Sequence, residues 1–393
     1  MRLILALALL LPGLALADAD PPRPVPPPAT GPALEVAGAA EVVFDWTTDR
    51  CYEEQIPDLP VRAYRDAEGQ VNLILSHTSA HRMRGPDFDS LLLDCSVLMG
   101  SAHDPDPSHF ANHEWIASVY TEDGIIVHAL IHNEFQGNRY PQLCPSGEYF
   151  RCWYNTITYA RSTDGGASFA RPIAPPDHLA AALTTPYAPD EGIFGAFSPS
   201  NIIAYEGAFY AFFKVQTYPL ETQYVCLMRT ETLADPESWR FWNGVGFTGV
   251  FADPYRDDLQ AMRATNCSPV GLSDIAQMYE NVTWNTHLNR FVMIGTSSDP
   301  ARDPNLFGFY YALSEDLIHW TPRHPLLEAR LPWRATGNQT VYLYPTLIDP
   351  ESDSRNFETT GAEAWLYFTR LNYGSGHLDR DLLRVPVRFR AAE

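Results

Sequence analysis

Five times along the chain, a short apolar strand, a tight turn and a second apolar strand follow one another behind a polar or aromatic residue. The first copy runs from Asp58 through Val61 and Tyr64, turns at Glu68-Gly69 and continues as Val71-Asn-Leu-Ile-Leu. The second opens at Glu114-Trp115, turns at Asp123-Gly124 and resumes at Ile126. Ser198 opens the third, with its turn at Glu206-Gly207; Glu280 opens the fourth, turning near Leu288-Asn289. The fifth begins at Tyr344 and carries an insertion through Gly361 before Ala364-Trp-Leu-Tyr-Phe. An acidic residue followed by Gly between apolar runs is a hairpin signal, because the turn needs backbone that glycine adopts without strain. The openings stand 56 to 84 residues apart, more than the ~40–50 of a usual propeller repeat, so long loops are expected between strands.

Further strand signals fill the gaps: Ile157-Thr-Tyr-Ala-Arg before Ser162–Phe169, Phe309-Tyr-Tyr-Ala-Leu before Ser314–Trp320, and Val225–Arg229 before Thr230–Trp239. In each, hydroxyl and carboxylate side chains can accept turn N–H groups while a terminal aromatic packs back on the sheet. Four strands per unit, repeated radially, predict an all-β fold: a five-bladed β-propeller with long inter-strand loops over residues 41–393. Hydrophobic residues at 45% and aromatics at 12% supply a core and exclude disorder.

The ends carry separate instructions. Met1-Arg2, the apolar run Leu3–Leu11 and the small-residue ending at Ala17 predict a signal peptide over 1–17, hence a secreted or periplasmic protein. Residues 18–40 are proline-rich and are expected to form an extended tether without a core. Six cysteines in an exported chain imply a disulfide framework with 15 formal pairings. Proximity favours Cys144–Cys152, and Cys51–Cys95 and Cys226–Cys267 would then close longer loops. Lys+Arg 27 against Asp+Glu 48 leaves −21, which repels phosphate backbones and argues against nucleic acid. Beyond the leader no apolar stretch is long enough to span a membrane.

Ser162–Phe169 resembles the Asp-box of sialidases and related propellers, and Ser314–Trp320 resembles the outer-strand motif of five-bladed glycoside hydrolases of the arabinanase, xylosidase and invertase-like group. The likeness implies catalytic carboxylates where innermost strands begin. By that resemblance Asp58 is the base or nucleophile and Glu114 orients the substrate or tunes the acid. The family's acid position, in the third blade, reads Phe197-Ser198-Pro199 here. The proton must then come from Glu280 or from Glu191 in the preceding loop, or the activity differs. Asp58, Glu114 and Glu280 thus form the expected catalytic set, in line with the paired carboxylates of glycosidases.

Substrate-binding candidates surround it. His77, Arg82 and Arg84 follow the second strand of the first unit. His113 opens the second unit, and His132-Asn133-Glu134 ends its second strand in an abrupt change from apolar to hydrogen-bonding residues. Asn201 and Tyr344 come from the third and fifth openings. Arg forks, His and Trp suit a hydroxyl-rich or acidic sugar. The expected partner is a carbohydrate, and no cofactor is required. No His/carboxylate spacing supports a catalytic zinc, whereas Asp104-Pro-Asp106 offers oxygen ligands for a structural calcium. Two rival readings are a non-catalytic glycan-binding propeller and a sialidase-like enzyme using Tyr344 with Arg82 and Arg84. GxSxG, P-loop and dinucleotide signatures are missing from the sequence.

Overall fold

Alternating apolar residues flanked by turn chemistry produce strands almost throughout the computed structural model, which describes residues 21–391. The strands form four sheets, and the largest divides at a parallel pairing into two runs, which leaves five groups of mainly antiparallel strands. The first comprises Arg62–Arg65, Val71–Leu75, Ser79–Gly85 and Leu92–Gly100. The second is His113–Tyr120, Val127–Gln136, Cys152–Ser162 and Leu179–Ala181. The third starts with Gly192–Pro199 and Ile203–Tyr205 and continues through Ala208–Gln216, Gln223–Thr230 and Arg240–Phe241. Asn281–Asn285, Arg290–Asp299, Asp303–Ser314 and His324–Glu328 make the fourth; Thr340–Ile348, Glu363–Asn372 and Arg380–Arg390 make the fifth. A parallel pairing of Cys152–Asn155 with Gly192–Gly195 fuses the second and third groups into one sheet.

Apolar side chains between neighbours close these groups into a propeller. Ile74 and Leu98 meet Ile116 and Ile131 between the first and second groups. Ile157 meets Ala196 and Phe213, Phe212 meets Val282 and Phe291, and Val292 meets Leu347 and Leu366. The fifth group returns to the first through Tyr367 and Ile348 against Val61 and Leu73.

At the axis stands Arg62, 3% exposed. Its Nε donates to Ala117 O at 2.8 Å and its Nη2 to Glu280 O at 2.8 Å and Pro199 O at 3.4 Å, while Nη1 reaches Thr346 Oγ1 at 3.4 Å. One guanidinium on the first inner strand therefore touches the inner segments of the other four groups. Burial lowers its pKa to about 9, so it is still the charged donor at neutral pH.

The turn motifs fold as their residues predict. Ser162 Oγ accepts from Gly166 N at 2.8 Å, Asp164 Oδ1 accepts from Ser168 N at 2.9 Å, and Phe169 is buried. Ser314, Asp316 and Trp320 repeat the arrangement. At Glu206-Gly207 both residues have positive φ (48° and 76°), the geometry of a two-residue hairpin turn. Two openings differ from expectation. The third inner strand starts at Gly192 and the fifth at Thr340, so Ser198 and Tyr344 sit inside strands, next to register shifts. All three disulfides pair as proximity suggested: Cys51–Cys95, Cys144–Cys152 and Cys226–Cys267.

The expected signal peptide lies outside the described residues, apart from which no helix is long and apolar enough to cross a membrane. The expected tether is a correction. Arg23-Pro24 pairs with Leu327-Glu328, and Ala33–Val36 pairs with Val387–Arg390, burying Leu34 beside Phe309 and Phe389. Glu41–Phe44 adds to the same last strand. Proline is tolerated because it occupies an edge, where a missing N–H breaks no ladder.

Candidate active site

The inner strands begin around one end of the axis, and there Asp58 is held from several sides. Its backbone N donates to Ser76 O at 2.9 Å, which ties the first opening to the end of its second strand. Tyr344 Oη donates to Asp58 Oδ1 at 3.2 Å, Arg380 forms an ion pair with the same carboxylate, and His77 Nε2 lies 3.9 Å from Oδ2. Tyr344 reaches it from a left-handed backbone, φ 62°, beside the register shift between Leu343 and Thr346. Positive φ is costly for a bulky residue, and a bulge that re-aims one side chain is a common device at functional sites. Burial pushes the Tyr344 hydroxyl well up and lowers Arg380 to about 10. His77 is also lowered by burial.

The second group contributes a second carboxylate. Side chains alternate along a strand, so His113 and Trp115 share one face of the inner strand while Glu114 points away. On the neighbouring strand His132 and Glu134 share a face and Asn133 opposes them. Glu134 Oε1 accepts from Tyr149 Oη at 2.7 Å and Gln136 Nε2 at 2.6 Å, and its Oε2 lies 3.6 Å from His132 Nε2. The Trp115 ring lies 5.4 Å from His132 and 6.1 Å from His77. His113 is lowered to about 3, first by burial and then by His103 and Arg139, and is neutral. A run of neighbouring side chains, His77, Trp115 and His132, therefore leads from Asp58 to Glu134. Alongside runs an aromatic shelf: Tyr149 stacks on Trp153 at 5.0 Å and Trp153 lies 6.5 Å from Phe197.

Several expected residues stand elsewhere. Glu114, 1% exposed, receives both Arg171 Nε at 2.8 Å and Arg171 Nη2, with Ala102 N at 2.8 Å. Asn133 is spent on Asn112 N and Thr156 Oγ1. Arg82 bonds Asp94 and Asn72, and Arg84 bonds Asp66. Both arginines lie on the third strand, Ser79–Gly85, and are engaged within the first group, so no Arg82/Arg84 cluster forms at Tyr344. Asn201 bridges the third and fourth groups through Val282 N and O, each at 2.8 Å. Asn281, a formal glycosylation sequon, is buried and donates to Asn201 Oδ1. Glu191 is exposed and sits against the Tyr218 hydroxyl.

Glu280 occupies an intermediate position. It is 4% exposed, and its carboxylate accepts from Tyr279 N at 2.9 Å, Thr296 N at 2.8 Å and the Thr296 hydroxyl. Burial raises its pKa, although those donors oppose the rise. A Cβ on Gly295 would approach Glu280 Oε2 to 2.3 Å, so only glycine lets the carboxylate seat. Asp104 and Asp106, the calcium candidates, hold their own loop: Asp104 accepts from Asp106 N and meets His109, and Asp106 caps Ser108.

Arg380, Tyr149 and Trp153 escaped sequence reasoning. Each lies outside the five openings, and only the abundance of aromatics hinted at the shelf.

No family model matches the chain, and no curated protein is similar to it. Among solved structures it is similar to the catalytic domain of a Coprinopsis cinerea GH62 α-L-arabinofuranosidase, at 13% identity, 92% of this chain, 98% of the other and a TM-score of 0.48. A Cellvibrio cellulosa α-L-arabinanase complexed with arabinohexaose matches at 11%, 84%, 91% and 0.46. A Xanthomonas citri GH43_1 enzyme complexed with xylotriose matches at 12%, 87%, 91% and 0.45.

Proposed function

We propose that this chain is an exported glycoside hydrolase acting on a poly- or oligosaccharide, with Asp58 as the ionised base or nucleophile and Glu134 as the proton donor. One observation carries the reading: Asp58 and Glu134, from different groups and linked through His77, Trp115 and His132, are each hydrogen-bonded by a tyrosine, with the Tyr149–Trp153 shelf beside Glu134. Glycosidic cleavage needs one carboxylate to protonate the leaving oxygen and another to activate water or bond the anomeric carbon. Arg380 keeps Asp58 paired, and Glu134 Oε2 accepts no hydrogen bond from any described residue. The shelf presents apolar faces to a sugar ring. Glu280, with both oxygens occupied, acts through position rather than as the primary acid. The raised Tyr344 hydroxyl counts against a tyrosine nucleophile and so against the sialidase-like rival. Three disulfides support an oxidising, secreted or periplasmic location.

The internal satisfaction of Glu114 and Glu280 favours one competing reading, a glycan-binding propeller without turnover. A glycan-panel assay of native protein, Asp58→Asn, Glu134→Gln and Glu280→Gln separates the two. Turnover by native protein with loss in the first two variants supports hydrolysis, and aryl glycosides with good leaving groups restore part of the Glu134→Gln rate. Undiminished turnover in Asp58→Asn and Glu134→Gln overturns the assignment. Binding with no cleavage by native protein selects the competing reading.

A further inference from the structure

Lys214 is the only lysine in the sequence. It lies on the strand Ala208–Gln216 of the third group, with its ammonium 4.5 Å from the Phe197 ring centre. That ring ends the shelf leading back through Trp153 and Tyr149 to Glu134. Beyond Lys214 opens a cavity of about 580 Å³ between the third and fourth groups. Arg323 lines it too, together with Gln223, Gln277, Thr296 and the indole of Trp333, which is 63% exposed.

The charge pattern of this cavity is unlike the rest of the molecule. The chain carries −21, yet no Asp or Glu is among the lining residues. Arg323 spends its donors on backbone oxygens alone: Ser298 O at 2.9 and 2.7 Å, Ser273 O at 3.1 Å and Asp274 O at 3.3 Å. Lys214 has no ion pair among the described residues. Glu280 acts on it electrostatically, but the Glu280 oxygens are already occupied by Thr296 and the Tyr279 N–H. Burial lowers the Lys214 pKa, a cost that an incoming anion relieves.

We propose that this cavity is the subsite for an anionic substituent of the glycan, a carboxylate or sulfate held by Lys214 and Arg323 while the sugar ring packs on Trp333. Side-chain amides and hydroxyls on the remaining walls suit the sugar's hydroxyl groups. The inference rests on the glycan reading of the mouth but not on cleavage. Cations with no carboxylate of their own, in a partly enclosed site, gain most from a bound anion, because water screens the attraction less there.

The test is equilibrium binding by calorimetry with the full mature chain. The probes are uronate-bearing and sulfated oligosaccharides, each beside its carboxyl-reduced or desulfated counterpart. The anionic member of at least one pair is expected to bind about tenfold tighter, with the advantage shrinking as salt rises. Lys214→Met should remove most of that advantage while leaving the neutral counterpart's affinity unchanged. Arg323→Gln is the second variant, read only after its melting point is checked, since Arg323 also ties backbone carbonyls. Preference in the uronate arm identifies the group as carboxylate, and in the sulfated arm as sulfate. Equal or undetectable binding within every pair overturns the proposal, as does a preference that survives both substitutions. Acid-selective binding without cleavage supports the subsite and removes the hydrolase reading; cleavage of neutral glycans without acid preference does the reverse.

Discussion

The two ends of the ring use the same inner strands for opposite purposes. At the base, where these strands finish, residues 349–361 of the fifth group lie across the other four. Arg65 N bonds Arg355 O, Thr121 N bonds Asn356 Oδ1, Ala204 N bonds Glu358 Oε2 and Trp284 N bonds Glu358 O, all between 2.7 and 2.9 Å. No buried side-chain atom of that segment is left without a partner among the described residues. At the mouth, Ser76 Oγ, Trp115 Nε1 and His132 Nδ1 are buried without a partner among the described residues, whereas left-handed backbone occurs at both ends, at Tyr344 and at Phe357. Unmet polar atoms lower stability, and at an open mouth a ligand can satisfy them. The base is a closure and the mouth is the proposed site.

The comparison breaks if substitutions at the mouth cost mainly stability. Asp58→Asn and Glu134→Gln should each lower kcat by about 10²–10⁴ with little change in melting temperature, as expected for a missing acid or base. Turnover kinetics beside thermal melts decide this.

At the axis, Arg62→Met should cost about 3–5 kcal/mol in denaturant unfolding, because inner-strand acceptors lose a charged donor together. A cost below 1 kcal/mol would show that the strand ends are held by apolar packing alone.

At the base, burial raises Glu358 from the ordinary 4.5 to about 7. Between those values the unfolded chain binds fewer protons at this residue than the native protein, so stability falls as pH rises and the loss is complete above pH 7. The full effect is roughly 3 kcal/mol. Glu358→Gln should remove this pH dependence in melts between pH 4 and 8; Tyr120 and Ser354, its side-chain partners, stay uncharged over that range.

The smallest effect expected is for Glu114→Gln. It weakens the Arg171 pair, costs about 1–2 kcal/mol and leaves kcat within a few-fold. A loss of activity like that of Asp58→Asn would return Glu114 to the catalytic set.

Much of the scaffold was legible because its signals are local. Hairpin turns, the Ser162 and Ser314 motifs and the near pair Cys144–Cys152 depend on residues a few positions apart. The proline-rich segment misled because composition describes an isolated chain, whereas Leu34 finds an apolar seat and an open edge 355 residues away at Phe389. Glu114 misled for another reason. Alternation separates it from His113 and Trp115, yet nothing local states which of the two faces turns toward the mouth.

By itself, then, the order of amino acids determined that strands would pair with their successors, where the chain would turn, and that Asp58 would stand just ahead of the first inner strand, Arg62–Arg65. Those outcomes follow from backbone sterics and short-range hydrogen bonding. Tertiary structure alone decided that Arg62 would gather the inner strands, that Glu134 would take Tyr149 and His132 as neighbours while Glu114 was held by Arg171, and that Lys214 and Arg323 would line one cavity free of Asp and Glu. Such meetings depend on the curvature and closure of the ring, which every interface sets jointly and no single segment encodes.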